Sequence, residues 1–252
     1  MMQAMIFAAG MGTRLKPLTD TMPKAMVSVG GKPLIRRVVE RLAGAGAERI
    51  VVNVHHFASQ IVDYLADNSN FGLQIAVSDE TEQLLDTGGG IRKATPLFDP
   101  SAPILIHNVD ILSNVDLQHF YSLAQNAADD GQQPDAVLLV SNRKTKRYLL
   151  FDDDMRLVGW TNIETGQVRS PYPDLDPSAC RMYAFAGIHV ISPRLLPLMQ
   201  QWPDKFGIID FYLNTCDSRR IVGFAKPDLK LMDIGKLDTL AQAEDFLREL
   251  DQ

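Results

Sequence analysis

Two cysteines, Cys180 and Cys216, are too few for a disulfide framework and are not in metal-ligand spacing. No apolar run approaches the roughly 20 residues that a membrane-spanning helix requires. The first ten residues are apolar, but no Lys or Arg precedes Arg14. They therefore read as a buried strand rather than a secretory signal. Basic charge is also short: 25 Lys and Arg against 31 Asp and Glu leave a net charge of −6. That balance argues against a nucleic-acid binder held by a broad basic surface. A cytoplasmic protein with no membrane and no nucleic-acid partner is expected.

What is present is ordinary globular composition, 46% hydrophobic and 22% charged over 252 residues. A chain of this size buries enough surface to need no metal or disulfide staple. The charge is unevenly spread. Residues 1–50 carry eight basic and three acidic side chains, while the remainder is acidic by eleven charges. A basic segment in an acidic protein suits a small polyanion such as a nucleotide. Arg36, Arg37, Arg41 and Arg49 read as the solvated face of a helix. Arg14, Lys16 and Lys24 lie in a Gly/Pro-rich loop and need another explanation.

Short β-branched runs alternate with helical patterns. Strands are predicted at 4–8, 50–54, 73–77, 104–106 and 136–140, and helices at 33–42, 59–65 and 116–127, the last with Asp116 as N-cap. Gly88, Gly89 and Gly90 read as a turn into the segment from Ile91. Such alternation indicates an α/β fold, a mainly parallel central sheet with helices on both faces. After residue 140 the pattern changes to strands at 148–151, 156–160 and 182–191, a small β-rich insertion with a hairpin turn at 152–154. Helices are predicted at 194–200, 208–215 and 237–247. No interdomain linker is visible, so one domain over 1–252 is expected.

The stretch Ala8-Ala9-Gly10-Met11-Gly12-Thr13-Arg14-Leu15, followed by Pro23-Lys24, directly follows the first strand. An open parallel sheet places its ligand crevice there. Glycines let backbone N–H groups approach phosphate oxygens, Arg14 can donate twice to a phosphate, and Lys24 adds a point charge. Two familiar motifs fail. The dinucleotide fingerprint wants Gly or Ala where Leu15 stands, and no Gly-Lys-Ser/Thr ending completes a nucleoside-triphosphatase loop. Asp110 follows a strand on the same sheet edge, and Asp233 follows Leu231-Met232 in the same way. Two carboxylates plus phosphate oxygens suit a hard cation such as Mg²⁺.

The run from Gly10 to Thr19 with Pro23-Lys24-Ala25-Met26 resembles the signature of the sugar-1-phosphate nucleotidyltransferases. Leu85-Asp86-Thr87-Gly88-Gly89-Gly90-Ile91, Asn108-Val109-Asp110, Phe185-Ala186-Gly187-Ile188 and Met232-Asp233-Ile234-Gly235 are similar to further blocks of that family, in the expected order. The resemblance implies a Rossmann-like, nucleotide-diphospho-sugar transferase fold. It implies a nucleotide-binding part at about 1–110 and a sugar-binding part at about 111–235 within the one domain. It implies transfer of a nucleotidyl group from a nucleoside triphosphate to a sugar 1-phosphate, with release of pyrophosphate. Arg14 and Lys24 would then be catalytic; Ala8, Ala9, Gly10, Met11, Gly12, Thr13, Gly88 and Gly89 would bind nucleotide. Asn108 and Gly187 would contact sugar, and Asp110 and Asp233 would hold Mg²⁺.

The 84–90 run looks most like the branch of short bacterial enzymes using UTP and N-acetylmuramate 1-phosphate. Mannose-1-phosphate guanylyltransferases and other hexose-1-phosphate enzymes share similar glycines and stand as the alternative. A Glu-Lys-Pro common in the family is missing around Val158–Asn162, and Lys236 replaces a common Thr. The charge run Arg143, Lys144, Lys146 and Arg147 reads as solvated surface. His55-His56, Trp160 and Trp202 read as ordinary polar or packing residues, and Tyr172 as a sugar-contact candidate. A non-catalytic sensor of the same shape is opposed by retention of Arg14, Lys24, Asp110 and Asp233 together. A nicotinamide dehydrogenase is opposed by Leu15 and by Asn53-Val54-His55 at the end of the second strand, where an acidic residue is wanted. A monomer or small homo-oligomer is expected.

Overall fold

A computed structural model describes residues 1–126 and 131–250. In chain order its elements begin with β1 (Met2–Phe7), β2 (Ser28–Val29), β3 (Lys32–Pro33), α1 (Leu34–Gly44) and β4 (Ala47–Val54). They continue with α2 (Ala58–Asp67), β5 (Gln74–Asp79), α3 (Asp86–Ala94), β6 (Ile104–Asn108), β7 (Ile111–Ser113), α4 (Leu117–Ser122) and β8 (Ala136–Ser141). Then follow β9 (Arg147–Phe151), β10 (Leu157–Asn162), β11 (Gln167–Arg169), β12 (Arg181–Ile191), α5 (Leu196–Met199) and α6 (Ile208–Thr215). The chain closes with β13 (Ile221–Ala225), β14 (Leu231–Asp233) and α7 (Leu237–Leu250).

Strands β5, β4, β1 and β6 lie side by side, all parallel. The long β12 runs antiparallel to β6 and carries two continuations. Its C-terminal part pairs with β8, itself parallel to β13, and its first residues pair with the antiparallel ribbon β9–β10–β11. The mixed, mainly parallel sheet and its β-rich insertion are thus present as expected from the sequence. Both faces are covered, because successive side chains of a strand point to opposite sides. Ala4 and Ile6 of β1 join the core beneath α1, α2, α4 and α7, while Met5 joins the core beneath α3, α5 and α6.

Four sequence expectations change. The glycine triplet is not a turn: Gly88, Gly89 and Gly90 lie inside α3. Its start is fixed by tertiary contacts, since the Gly88 and Gly89 amides donate to the Phe206 carbonyl at 2.8 and 3.2 Å. Arg41 is not on a solvated helix face. It turns inward to donate to Ser113 Oγ and the Val115 carbonyl, and burial pulls its pKa down to about 10. Arg49 belongs to β4 rather than to a helix. Helix α4 is capped by Asp116, which accepts from the His119 amide, but it ends at Ser122; the expected last residue, Ala127, lies outside the described residues.

Candidate active site

The parallel strands all end on one edge, and there a cleft of about 390 Å³ opens. Phe7, Ala9 and Gly10 line it from the loop after β1, Asn53 from β4, and Asn108, Val109 and Asp110 from the end of β6. Glu80, Leu84, Asp86 and Thr87 close one side, and Lys24 and Lys205 complete the wall. The loop after β1 turns at Gly12, whose φ of +61° favours glycine. A Cβ there would sit 2.8 Å from Thr19 Cγ2 and 3.1 Å from Lys24 Cβ, so the glycine lets the loop fold back onto Lys24. Thr19 Oγ1 donates to the Gly12 carbonyl at 2.9 Å and fixes that turn.

Lys24 is buried, 9% exposed, and its ammonium is paired with Asp110 Oδ2. Asp233 arrives from far along the chain by a specific route. Strand β14 pairs antiparallel with β7 so that Asp233 opposes Ile111, and the Ile234 amide donates to the Asp110 carbonyl at 2.8 Å. Burial, then the neighbouring Asp110 charge, raise the Asp233 carboxyl above the usual range, against the opposing pull of Lys24 and Arg14. A Cβ on Gly235 would lie 2.8 Å from both Arg14 Nη2 and Asp233 Oδ1. The guanidinium therefore lies close over this glycine, on the same side as the second carboxylate. Arg14, Lys24, Asp110 and Asp233, which the sequence separates by more than two hundred residues, form one cluster, of which Lys24 and Asp110 line the cleft.

The two carboxylates suit a hard cation. Asp233 Oδ1 is buried with no hydrogen-bond partner, and an unpaired buried oxygen of this kind is costly. A divalent cation would satisfy it and offset the repulsion from Asp110. Among the described residues no group of three or more His, Cys, Asp or Glu is gathered to hold a metal. The donor set is two carboxylates that leave most positions to water and substrate oxygens, the usual habit of Mg²⁺.

The other expected residues divide. Ala9, Gly10 and Asn108 line the cleft, while Met11, Gly12 and Thr13 continue the loop beyond its lining. Ala8 is buried outside the lining, and its amide is taken by Asn53 Oδ1 at 2.7 Å. Gly187 has φ +75° at a register shift in β12, and a Cβ there would meet Asn108 Nδ2 at 2.8 Å; it makes room for that side chain. Gly88 and Gly89 are not among the residues that line the cleft. A Cβ on Gly88 would meet the Phe206 ring at 2.2 Å, and one on Gly89 the Asp204 carbonyl at 2.3 Å. These glycines are required by the 204–206 turn packed on them.

Sequence reasoning missed a buried polar strut. Asn53 Oδ1 accepts from the Ala8 and Ala9 amides at 2.7 and 3.3 Å, and its Nδ2 donates to Glu80 Oε1 at 2.8 Å. Glu80 is 0% exposed, and its Oε2 accepts from the Leu85 amide at 3.1 Å. The pair ties the glycine loop to the segment entering α3. An Asn inside the Ile-Val-Val-Asn-Val run was the visible signal. The residues with ordinary readings behave so: His55 Nδ1 meets the Glu80 carbonyl at 2.7 Å, Trp202 packs on Phe206 and Phe211, and Arg169 stacks over Trp160. Lys146 pairs with Glu164 at 2.6 Å.

The chain is similar to known nucleotidyltransferases over most of its length. The family model described as "Nucleotidyl transferase" matches residues 3–154. An N-acetylmuramate alpha-1-phosphate uridylyltransferase of Caulobacter vibrioides is 32% identical over 255 residues, covering 98% of this chain and 97% of that protein. One from Neisseria meningitidis serogroup B is 44% identical over 125 residues, 50% of this chain and 54% of that protein. Among solved structures, UDP-glucose pyrophosphorylase complexed with UDP-glucose superposes with a TM-score of 0.76 at 18% identity, covering 99% of each chain.

Proposed function

The chain belongs to the nucleotidyl transferase family and is a sugar-1-phosphate nucleotidyltransferase; from that premise we propose that it joins UTP to N-acetylmuramate 1-phosphate. The observation that carries the reading is the convergence of Arg14, Lys24, Asp110 and Asp233 beside the glycine loop. Full-length likeness to a uridylyltransferase acting on that sugar phosphate supports the choice of substrates.

The phosphate oxygen of the sugar is already ionised, so the reaction needs no general base. That oxygen attacks the α-phosphorus in line, and the bond to the β-phosphate oxygen breaks to release pyrophosphate. Rate then depends on positioning two anions and neutralising their charge. Arg14 offers a planar pair of donors to the leaving pyrophosphate, and Lys24, held by Asp110, meets the reacting phosphate. Asp110 and Asp233 would hold Mg²⁺, which when bound supplies further neutralisation of the phosphate charge. Ala9 and Gly10 flank the nucleotide in the part spanning about 1–110. Asn108, at the end of that part, faces the sugar over Gly187, which belongs to the part spanning about 111–235.

Among the described residues no helix is long and apolar enough to cross a membrane. We place the protein in the cytoplasm with its nucleotide substrate, supplying an activated cell-wall sugar. The test is pyrophosphate release with paired substrates. UTP with N-acetylmuramate 1-phosphate should outperform GTP with mannose 1-phosphate, and chelator should silence both. Lys24→Ala should fold normally and lose about 10²–10³-fold in turnover, the usual cost of one contact made to transition-state charge. A preference for GTP and mannose 1-phosphate would replace the substrates and leave the reaction class standing.

A further inference from the structure

Lys205 stands in the wall of the cleft, which Asp86, Thr87 and Asp110 also line. Neither the motifs nor the chemistry above assigns it a task. The residues on both sides of it are tied down by hydrogen bonds. On one side the Arg92 guanidinium pairs with Asp204 at 2.6 Å and donates to the Trp202 carbonyl at 2.6 Å. On the other side the Phe206 amide donates to the Leu85 carbonyl at 3.2 Å, while the Phe206 carbonyl accepts from Gly88 and Gly89. The Ile208 amide closes the turn on Thr87 Oγ1 at 2.9 Å. Gly88 and Gly89 thus let the turn sit flush on α3, and the turn presents Lys205 to the cleft.

The side chain itself is exposed and forms no ion pair among the described residues. Of the nearby cations, Lys24 is paired with Asp110 and Arg92 with Asp204, while Arg14 lies over Gly235 beside Asp233. An ammonium on a fixed turn, directed into a cleft and left without an anion, suits an anionic group on whatever enters. We propose that the Lys205 ammonium binds a phosphate group of a bound substrate. The proposal rests on the nucleotidyltransferase reading, in which two phosphorylated substrates share this cleft. The phosphate belongs either to the nucleoside triphosphate or to the sugar 1-phosphate.

The experiment compares wild type, Lys205→Met and Lys205→Arg. Initial rates give KM for UTP and for N-acetylmuramate 1-phosphate separately, at low and high salt, and calorimetric titration gives Kd for the same two compounds. Lys205→Met should weaken one compound by about ten- to fiftyfold, as expected for loss of a charge-assisted hydrogen bond. Lys205→Arg should restore most of that loss, and the difference should narrow at high salt. Weakening confined to UTP assigns the triphosphate; weakening confined to the sugar 1-phosphate assigns the monoester. Unchanged values for both compounds overturn the proposal. Equal damage from Met and Arg with no salt dependence also overturns it, because the turn's packing would then be responsible. So does an effect that vanishes when Asp86→Asn is added, since Lys205 would then only balance that carboxylate. The titrations need no turnover. A wild type that binds UTP but releases no pyrophosphate contradicts the reaction, while the Lys205 comparison is still decided.

Discussion

Asn53→Ala removes the centre of the buried strut. The Ala8 amide, at 2.7 Å from Asn53 Oδ1, loses its partner, and the weaker Ala9 bond at 3.3 Å goes with it. Glu80 Oε1 loses the donor at 2.8 Å while remaining fully buried. An unsatisfied buried amide costs about 1–3 kcal/mol and a lost bond to a charged group about 1.5–3, so the variant should lose about 3–5 kcal/mol. That is a large share of the roughly 5–15 kcal/mol a domain has, and corresponds to a fall in Tm on the order of 10 °C. The same amides shape the Ala9-Gly10 wall, so KM for UTP should rise about tenfold in step with a lost oriented contact. Asn53→Asp keeps the acceptor but sets a second carboxylate oxygen against Glu80, and should also be destabilised at neutral pH. Denaturant unfolding and initial rates on the same preparations read both effects. Asn53→Ala within about 1 kcal/mol of wild type and with unchanged KM would refute the strut.

Three further outcomes follow from the same structure. Asp233→Asn removes a buried carboxylate whose ionisation is opposed by burial and by Asp110; it should keep or raise Tm in metal-free buffer while losing most Mg²⁺-dependent turnover, read by thermal melts and pyrophosphate release. Gly88→Ala places a Cβ against the Phe206 ring, and overpacking of this kind costs about 1–3 kcal/mol; full stability in denaturant melts would show that the 204–206 turn yields freely. His107 and His189 are fully buried, and burial lowers both pKa values from 6.5 to about 3. The unfolded chain therefore binds protons first on acidification. Stability should be complete above 6.5 and fall toward 3, by up to about 1.4 kcal/mol per histidine per pH unit, in chemical unfolding at stepped pH; a flat profile between about pH 6 and 5 contradicts the burial of both rings.

The fold was largely legible because its strands are buried on both faces and so read as continuous apolar runs. Helix α1 shows its buried stripe at Leu34, Ile35, Val38, Val39 and Leu42. Helix α3 reads as a turn in the sequence because three successive glycines carry no helical preference of their own; contacts to Phe206 and Asp204, more than a hundred residues away, decide its conformation. The charged cluster was legible residue by residue, since Arg14, Lys24, Asp110 and Asp233 each follow a strand or sit in the glycine loop. Glu80 was not, because an acid in Ser-Asp-Glu-Thr-Glu looks like solvated surface until Asn53 is placed beside it. Arg41 was hidden for the same reason: periodicity places it near the boundary of the apolar stripe, and only β7 reveals its inward turn.

The most direct test of the account is a one-pot competition. UTP, GTP, ATP and dTTP are supplied at equal concentration with N-acetylmuramate 1-phosphate and Mg²⁺, and the nucleotide sugars formed are identified by mass spectrometry. The account predicts the uridine diphosphate sugar as the dominant product, formed in step with pyrophosphate and lost in Lys24→Ala. Another nucleotide sugar as the main product, or pyrophosphate release that does not depend on the sugar phosphate, would contradict it.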